Sequence, residues 1–286
     1  MHLPRSSELA ASLVVLDEVG STNDELVRRA VAGDEPEFSV LVTTSQTAGR
    51  GRLGRVWVAP PGKTLAVSVL LRPRTAAGAA LGLEHFGWLP LLSGVAMTRA
   101  VAEQLPDRRV MLKWPNDVQV DGAKVAGILA ELLPGADAVV IGVGVNLTFG
   151  SEELPTPTST SLLLAGVEKV GDELTDAVLS SYLRELRALY RSLGAGTGSD
   201  AAGLDAAGPD AAGPDVPGPD VGALRGALLA VCSTVGQRVK VSLPGGELLF
   251  GTATGVDDSG RILVTDASDG SVQAVAAGDI THLRYE

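Results

Sequence analysis

Two apolar periodicities alternate along the chain, and the switches between them mark out its elements. Residues 21–33 set Leu26, Val27, Ala30 and Val31 on one stripe and stop at Gly33, which predicts a helix with Thr22 and Glu25 as a capping box. The same spacing recurs over 90–105 (Leu91, Leu92, Val95, Ala96, Val101, Ala102, Leu105), and 172–193 predict a longer amphipathic helix. Short β-rich apolar runs at 13–16, 38–44, 65–71, 110–114 and 138–145 read as strands. Asp121-Gly122 predicts a hairpin turn between 118–120 and 125–132. Residues 1–13 read as a weak leader.

From Asp205 the chain runs DAAGL, DAAGP, DAAGP, DVPGP. Such a composition has too little apolar surface to build a core, so 195–222 are expected to be a flexible linker. Beyond it, 223–231 predict a short helix, and 235–286 read as short strands with turns at 244–246, 257–260 and 268–270. The expected fold class is α+β: a catalytic domain on a mixed sheet over 1–194, the linker, and a small β domain over 223–286.

The chain has 286 residues with 45% hydrophobic content, enough for a sizeable core, but aromatics make up only 3%, so aliphatic packing must form it. The net charge of −11 argues against an extended nucleic-acid surface. No apolar run approaches ~18 residues, so no membrane span is expected, and no secretory signal is seen; the expected location is the cytoplasm. Cys232 is the single cysteine, which excludes an internal disulfide framework, and its apolar neighbours favour a buried thiol. The histidines, His2, His85 and His282, are too scattered to suggest a metal site.

Against this acidic background, 49–55 concentrate Arg50, Arg52 and Arg55 among glycines, with no carboxylate. Gly49-Arg50-Gly51-Arg52-Leu53-Gly54 formally fits a dinucleotide fingerprint, but that motif needs a helix immediately after it, and Val56-Trp57-Val58-Ala59-Pro60-Pro61 follows instead. Gly62-Lys63-Thr64 resembles the end of a P-loop, yet Trp57 stands where its first glycine belongs. What remains is a loop whose glycines allow close backbone approach and whose guanidiniums suit phosphate or carboxylate, or else a solvated basic loop. Three like charges predict that such a loop is mobile until an anion neutralises it. A second cluster is Lys113-Trp114-Pro115-Asn116-Asp117 with Lys124 after the turn. The chain has five lysines and otherwise prefers arginine, so a lysine here suggests a compact point charge. Asn116 and Asp117 also read as ordinary turn residues. The glycines of Gly142-Val143-Gly144-Val145-Asn146 fit either ligand approach or close packing.

Five segments taken together resemble the biotin–protein ligase family: Gly20-Ser21-Thr22-Asn23; Gln46 through Trp57; Lys113-Trp114-Pro115-Asn116-Asp117; Lys124-Val125-Ala126-Gly127-Ile128-Leu129; and Gly142-Val143-Gly144-Val145-Asn146. The resemblance covers about 14–194 well and the terminal β domain more loosely. It implies a mixed-sheet domain of the class II aminoacyl-tRNA synthetase type followed by an SH3-like β-barrel. It also implies formation of biotinyl-AMP from biotin and ATP with Mg²⁺, then transfer to a lysine of a biotin carboxyl carrier domain of an acyl-CoA carboxylase.

Carried over by position, Ser21, Thr22, Asn23 and Gln46 are implied to contact biotin. Arg50, Gly51 and Arg52 are implied to close over biotin and phosphate, and Lys124 to bridge the biotin carboxylate and the α-phosphate. Trp57, Asn116, Asn146 and Lys113 are implied at the nucleotide, and Asp117 near Mg²⁺. Arg50, Arg52, Lys124 and Asp117 make up the implied catalytic set. Family members that repress transcription carry an N-terminal DNA-binding domain; Ser21 lies too near the start for one, so no nucleic-acid partner is expected. A lipoate–protein ligase and a non-catalytic biotin or nucleotide sensor are the alternatives.

Overall fold

The computed structural model describes residues 1–33, 35–194, 221–243, 245–276 and 278–283. Its first elements are α1 (Pro4–Ser7), β1 (Ser12–Val15), α2 (Thr22–Ala32), β2 (Ser39–Thr43), β3 (Thr64–Leu71) and α3 (Trp88–Gln104). There follow β4 (Val110–Lys113), β5 (Asp117–Val120), β6 (Ala123–Leu132), β7 (Val139–Asn146), α4 (Leu162–Ala165), α5 (Gly171–Gly194) and α6 (Val221–Leu229). The last five strands are β8 (Arg238–Ser242), β9 (Leu248–Val256), β10 (Ile262–Asp266), β11 (Val272–Val275) and β12 (Asp279–His282). Of the expected linker, 195–220 lie outside the described residues; Val221 and Gly222 open α6.

Seven strands form one sheet in the order β1-β2-β3-β7-β6-β5-β4. β1 and β2 are parallel, with α2 between them in the chain, and every other pair is antiparallel. A mixed sheet in an α+β fold is what the element pattern predicts. The other five strands make an antiparallel sheet in the order β11-β10-β9-β8-β12.

Strand alternation divides the large sheet into two unlike faces. On β3, Leu65, Val67, Val69 and Leu71 enter the main core, and on β7, Val139, Ile141, Val143 and Val145 do the same. α3 lies over this face and is itself covered by α5 and α6, which is why it is apolar on nearly every side. Gly94 permits the close approach: a Cβ there would stand 2.8 Å from Leu112 Cδ1. The opposite face carries a smaller cluster in which Leu26 and Ala30 of α2 cover Leu41, Leu70 and Val140. Further along the same two strands, this face becomes the floor of the cavity described below.

Two expectations are corrected here. The cap of α2 is Ser21, whose hydroxyl accepts from Asp24 N at 3.4 Å, so Thr22 and Glu25 do not form a capping box. Glu25 instead pairs with Arg28 and Arg29, each at 2.8 Å, and their hydrogen bonds, Arg28 first, hold its carboxyl down to about 2. Residues 1–13, expected to be a weak leader, hold α1 and the start of β1. The buried Asp176 of α5 accepts from Ser6 N (3.0 Å), Ser6 Oγ (2.7 Å), Arg5 N (3.2 Å) and Arg5 Nε (3.0 Å), which docks α1 on α5. Burial by itself would raise this carboxyl; the Ser6 and Arg5 bonds outweigh it and leave it below its ordinary value.

The small sheet joins the large one through side chains and backbone. Trp88 Nε1 donates to Asp258 O at 2.7 Å, and Trp114 N donates to Thr234 Oγ1 at 3.0 Å. The segment around Cys232, whose thiol is buried as expected, runs parallel to β4 and bonds both polar groups of Leu112, so that edge of the sheet is covered.

Asp176→Ala is expected to leave several donors of α1 unmet, costing about 1–3 kcal/mol and lowering the melting midpoint at neutral pH by roughly 2–4 °C per kcal/mol. Because the folded-state pKa is depressed, the contribution of Asp176 exists above the ordinary aspartate range near ~3.9 and vanishes as pH falls through the lower folded value. The midpoints of wild type and variant should therefore converge in acid; a gap independent of pH would contradict the docking role of the charge.

Candidate active site

The bare stretch of the second face is where the sequence-distant motifs meet. On β7, the residues alternating with the core positions are Val140, Gly142, Gly144 and Asn146; on β3 they are Leu70, Ser68, Ala66 and Thr64. The two glycines leave room that neighbouring side chains fill. A Cβ on Gly142 would stand 2.3 Å from Asn23 Oδ1, and one on Gly144 would stand 2.2 Å from the Trp57 ring. These glycines thus serve close packing, and the groups they admit themselves line a cavity.

That cavity has a volume of about 380 Å³, within the small-molecule range. Its walls come from the start of α2, the 46–58 segment, the β4–β5 turn, β6, β7 and the 155–159 segment. Of the residues singled out from the sequence, Ser21, Thr22, Asn23, Gln46, Arg50, Gly51, Arg52, Trp57, Asn116, Asp117, Lys124 and Asn146 all line it. Lys113 does not; it sits on β4 opposite Asp117 in the ladder.

At one end, Ser21, Thr22 and Asn23 are each about 95% buried. Gln46 Oε1 accepts from Thr22 N (2.8 Å) and Thr22 Oγ1 (3.1 Å), so the first turn of α2 is bolted to the strand-like 46–59 segment. The glycine-arginine segment is a tight hairpin: Gly51 N donates to Arg55 O at 2.7 Å and Trp57 N to Gly49 O at 2.9 Å. Leu53 (φ 57°) and Gly54 (φ 73°) turn its tip through the left-handed region. Gly49 is required by contact, since a Cβ there would lie 2.4 Å from Trp57 O.

The expectation that mutual repulsion keeps this loop mobile takes no account of the partners present. Arg50 pairs with Asp24 and with Glu131, the latter at 2.8 Å. Arg52 Nη1 donates to Asn116 Oδ1 at 3.0 Å, and its Nη2 to Gly278 O at 3.3 Å, a group at the start of β12.

Lys124 reaches the cavity because β6 is bulged. The ladder pairs Val118 with Ala126 but Gln119 with Lys124, leaving Val125 as the extra residue. Val125 and Ala126 both enter the core, and Lys124 is turned to the same face as Gly127. Its Nζ lies 2.5 Å from Asp117 Oδ1 and 5.9 Å from the centroid of Trp57. Lys124 N also donates to Thr158 O at 2.8 Å, which brings 155–159 to the rim. Two buried polar atoms, Trp57 Nε1 and Asn146 Oδ1, have no protein partner, although Asn146 Nδ2 donates to Thr160 O at 2.9 Å. A buried polar group without a partner costs about 1–3 kcal/mol, and both atoms are covered from solvent here, so a ligand reaches them only if the side chains around them shift.

The same folds and segments occur in known proteins. Residues 19–146 match the Biotin/lipoate A/B protein ligase family, and residues 234–283 match the Biotin protein ligase C terminal domain. The chain is 36% identical over 277 residues to the biotin--[acetyl-CoA-carboxylase] ligase of Mycobacterium tuberculosis, covering 95% of this chain and 89% of that protein.

This chain belongs to the biotin protein ligase family.

Among solved ligases, that of Aquifex aeolicus in complex with biotin and ATP shares the fold, with a TM-score of 0.67, 24% identity and coverage of 96% of this chain and 100% of that one. The ligase of Leishmania major in complex with biotinyl-5-AMP aligns with a TM-score of 0.55 and 25% identity over 93% and 99% of the two chains. The ligase-family match ends at Asn146, whereas the cavity wall continues through Pro155, Thr156, Thr158 and Ser159. Sequence reasoning missed this segment, as it missed Asp24 and Glu131. Its run of Pro, Thr and Ser reads as an ordinary loop, and only the backbone bonds to Lys124 show where it lies.

Gly144→Ala should displace the Trp57 indole from the β7 floor of the ligase fold while leaving the two fully covered tryptophans, Trp88 and Trp114, in place. A red shift of the emission spectrum with little change in circular dichroism is expected; an unchanged spectrum would show that the indole does not need the glycine.

Proposed function

We propose that this chain activates biotin with ATP to form biotinyl-5'-AMP and pyrophosphate, then passes the biotinyl group to a lysine amine of a biotin carboxyl carrier domain of an acyl-CoA carboxylase. The observation that carries the reading is that the arginine hairpin and Lys124, from distant segments, face one cavity that also holds Trp57 and the hydroxyl-rich start of α2. Joining a carboxylate to an α-phosphate brings two anions together, so the barrier is largely electrostatic. Positive groups already placed where phosphate charge develops lower it without reorganising during the reaction. Each charge-assisted bond supplies roughly 1.5–3 kcal/mol.

In this reading, Ser21, Thr22, Asn23 and Gln46 form the end that receives the ureido ring. The partnerless Trp57 Nε1 and Asn146 Oδ1 belong to the nucleotide end, with Asn116 beside Arg52. Lys124 Nζ bridges the biotin carboxylate and the α-phosphate, so an incoming anion competes with Asp117 for the ammonium. Asp117, once released, orients the acceptor lysine as its neutral amine, which attacks the acyl carbon; AMP departs with the C–O bonding pair and the surplus proton on nitrogen passes to water. The hairpin shields the mixed anhydride from water. Lys113 is left without a part in this arrangement.

Among the described residues no group of three or more His, Cys, Asp and Glu side chains is placed to hold a metal. Magnesium still fits, because it binds through one or two carboxylates and keeps water and phosphate as its other ligands. Asp117 would hold it, and the ion would supply charge neutralisation on the phosphates.

The family match at 19–146 spans biotin and lipoate ligases alike, while the match at 234–283 and the 36% identical relative support biotin. No described helix is long and apolar enough to cross a membrane, and the cytoplasm is the proposed setting.

The direct test is ATP-dependent labelling of a carrier lysine by biotin, run beside lipoate. Labelling by biotin alone is expected; labelling by lipoate alone would replace the reading, and biotin binding without labelling would favour the sensor. Lys124→Ala is expected to slow biotin-dependent pyrophosphate release by about 10²–10³-fold, and near-normal release would remove Lys124 from the charge-stabilising set. Arg52→Gly should leak free biotinyl-AMP, measured as adenylate in the filtrate; tight retention would contradict the closing role of Arg52.

A further inference from the structure

Glu131 lies on the site face of β6, opposite Val140 in the ladder, behind the cavity wall rather than in it. A carboxylate three-quarters covered on an apolar strand is costly unless it is satisfied. Its Oε2 accepts from Asn23 Nδ2 at 2.6 Å and from Arg50 Nη2 at 2.8 Å. The same Arg50 nitrogen also bonds Asp24, the residue after Asn23. The bonds therefore close a ring, from Asn23 to Glu131 to Arg50 to Asp24 and back along the first turn of α2. The ring is anchored below, where Ser68 Oγ donates to Asn23 Oδ1 at 2.6 Å in the space that Gly142 leaves.

We propose that Glu131 is a positioning residue that fastens the glycine-arginine hairpin to the start of α2, and that Arg50 serves as the fastener rather than as a phosphate ligand. The proposal rests on the ligase reading and deepens it. Arg50 has two carboxylates as partners, so its charge is already largely offset where it stands. What it contributes is location: it holds the hairpin against the first turn of α2 and against β6. Loosening it should weaken capture of biotin and retention of the adenylate, with little effect on the chemical step once biotin saturates the cavity.

The test is a double-mutant cycle in the full chain with Glu131→Gln, Arg50→Gln and the pair, read by biotin-dependent ATP–pyrophosphate exchange. Glu131→Gln should raise the biotin KM by about 10-fold and change kcat by less than about 3-fold, within the coupling expected of contacting residues. Because the two residues share one ion pair, the double variant should raise KM by much less than the product of the two single effects, close to the larger of them. A KM rise equal to the product of the two single effects would overturn the proposal, as would a Glu131→Gln variant that loses kcat at an unchanged KM.

A second readout needs no activity: the rate of tryptic nicking at Arg50, Arg52 and Arg55 without substrates. Glu131→Gln and Asp24→Asn should both speed it, at concentrations where the unfolding midpoints show all three proteins folded. Nicking at the wild-type rate in both variants would overturn the fastening role. Absence of biotin-dependent exchange in the wild type would overturn the ligase reading instead, leaving the nicking result to decide the fastening alone. If Glu131→Gln does not fold, Asp24→Asn, exposed at the surface end of the ring, carries the same KM and nicking comparisons.

Discussion

A β-strand shows alternate residues to opposite sides, and β7 spends its two sides very differently. Val139, Ile141, Val143 and Val145 build the core beneath α3, while Gly142 and Gly144 leave the other side without side chains. The cavity exists because of that bareness. Asn23 and Trp57 occupy the space above the two glycines, and each carries a distant segment of chain with it. Side chains at those positions would push α2 and the hairpin outward and separate the groups that now face each other.

The same division explains where the molecule is rigid and where it can respond. The floor belongs to central strands backed by the main core, so Asn146 and the Lys124 side of β6 are held by the sheet itself. The covering parts are a nine-residue hairpin over 49–57 and the 155–159 segment, held by a few polar contacts to side chains and backbone. Functional groups on loops above a stiff frame suit a reaction that must admit two substrates, exclude water and later accept a protein lysine. The C-terminal part takes part through Gly278 O, just before β12, which accepts from Arg52.

Much of this was legible in the chain. The helices at 22–32 and 171–194 follow the apolar period, the one at 88–104 falls where an apolar run reads as helical although it is apolar on nearly every side, and the Asp121-Gly122 turn joins the two strands expected of it. Of the motif residues given a site role, all but Lys113 line one cavity. The misses share a cause. Ser21 rather than Thr22 caps α2 because Thr22 is drawn to Gln46, twenty-four residues away. The N-terminal turn is ordered by Asp176, about 170 residues distant, and no local pattern reports such a partner.

From its own residues the chain determined the fold class, the strand faces and the kind of chemistry, because periodicity and side-chain type act over a few neighbouring residues. Tertiary structure decided how the charges are shared. The extra residue at Val125 turns Lys124 onto the site face, a choice made by the ladder with β5 and invisible in an apolar run. Likewise Arg50 and Arg52 look equivalent in a glycine-arginine loop, yet one is claimed by Asp24 and Glu131 and the other reaches Asn116 and β12. Electrostatic partners are set by distance in space, and only the folded sheet brings those distances within a few ångströms.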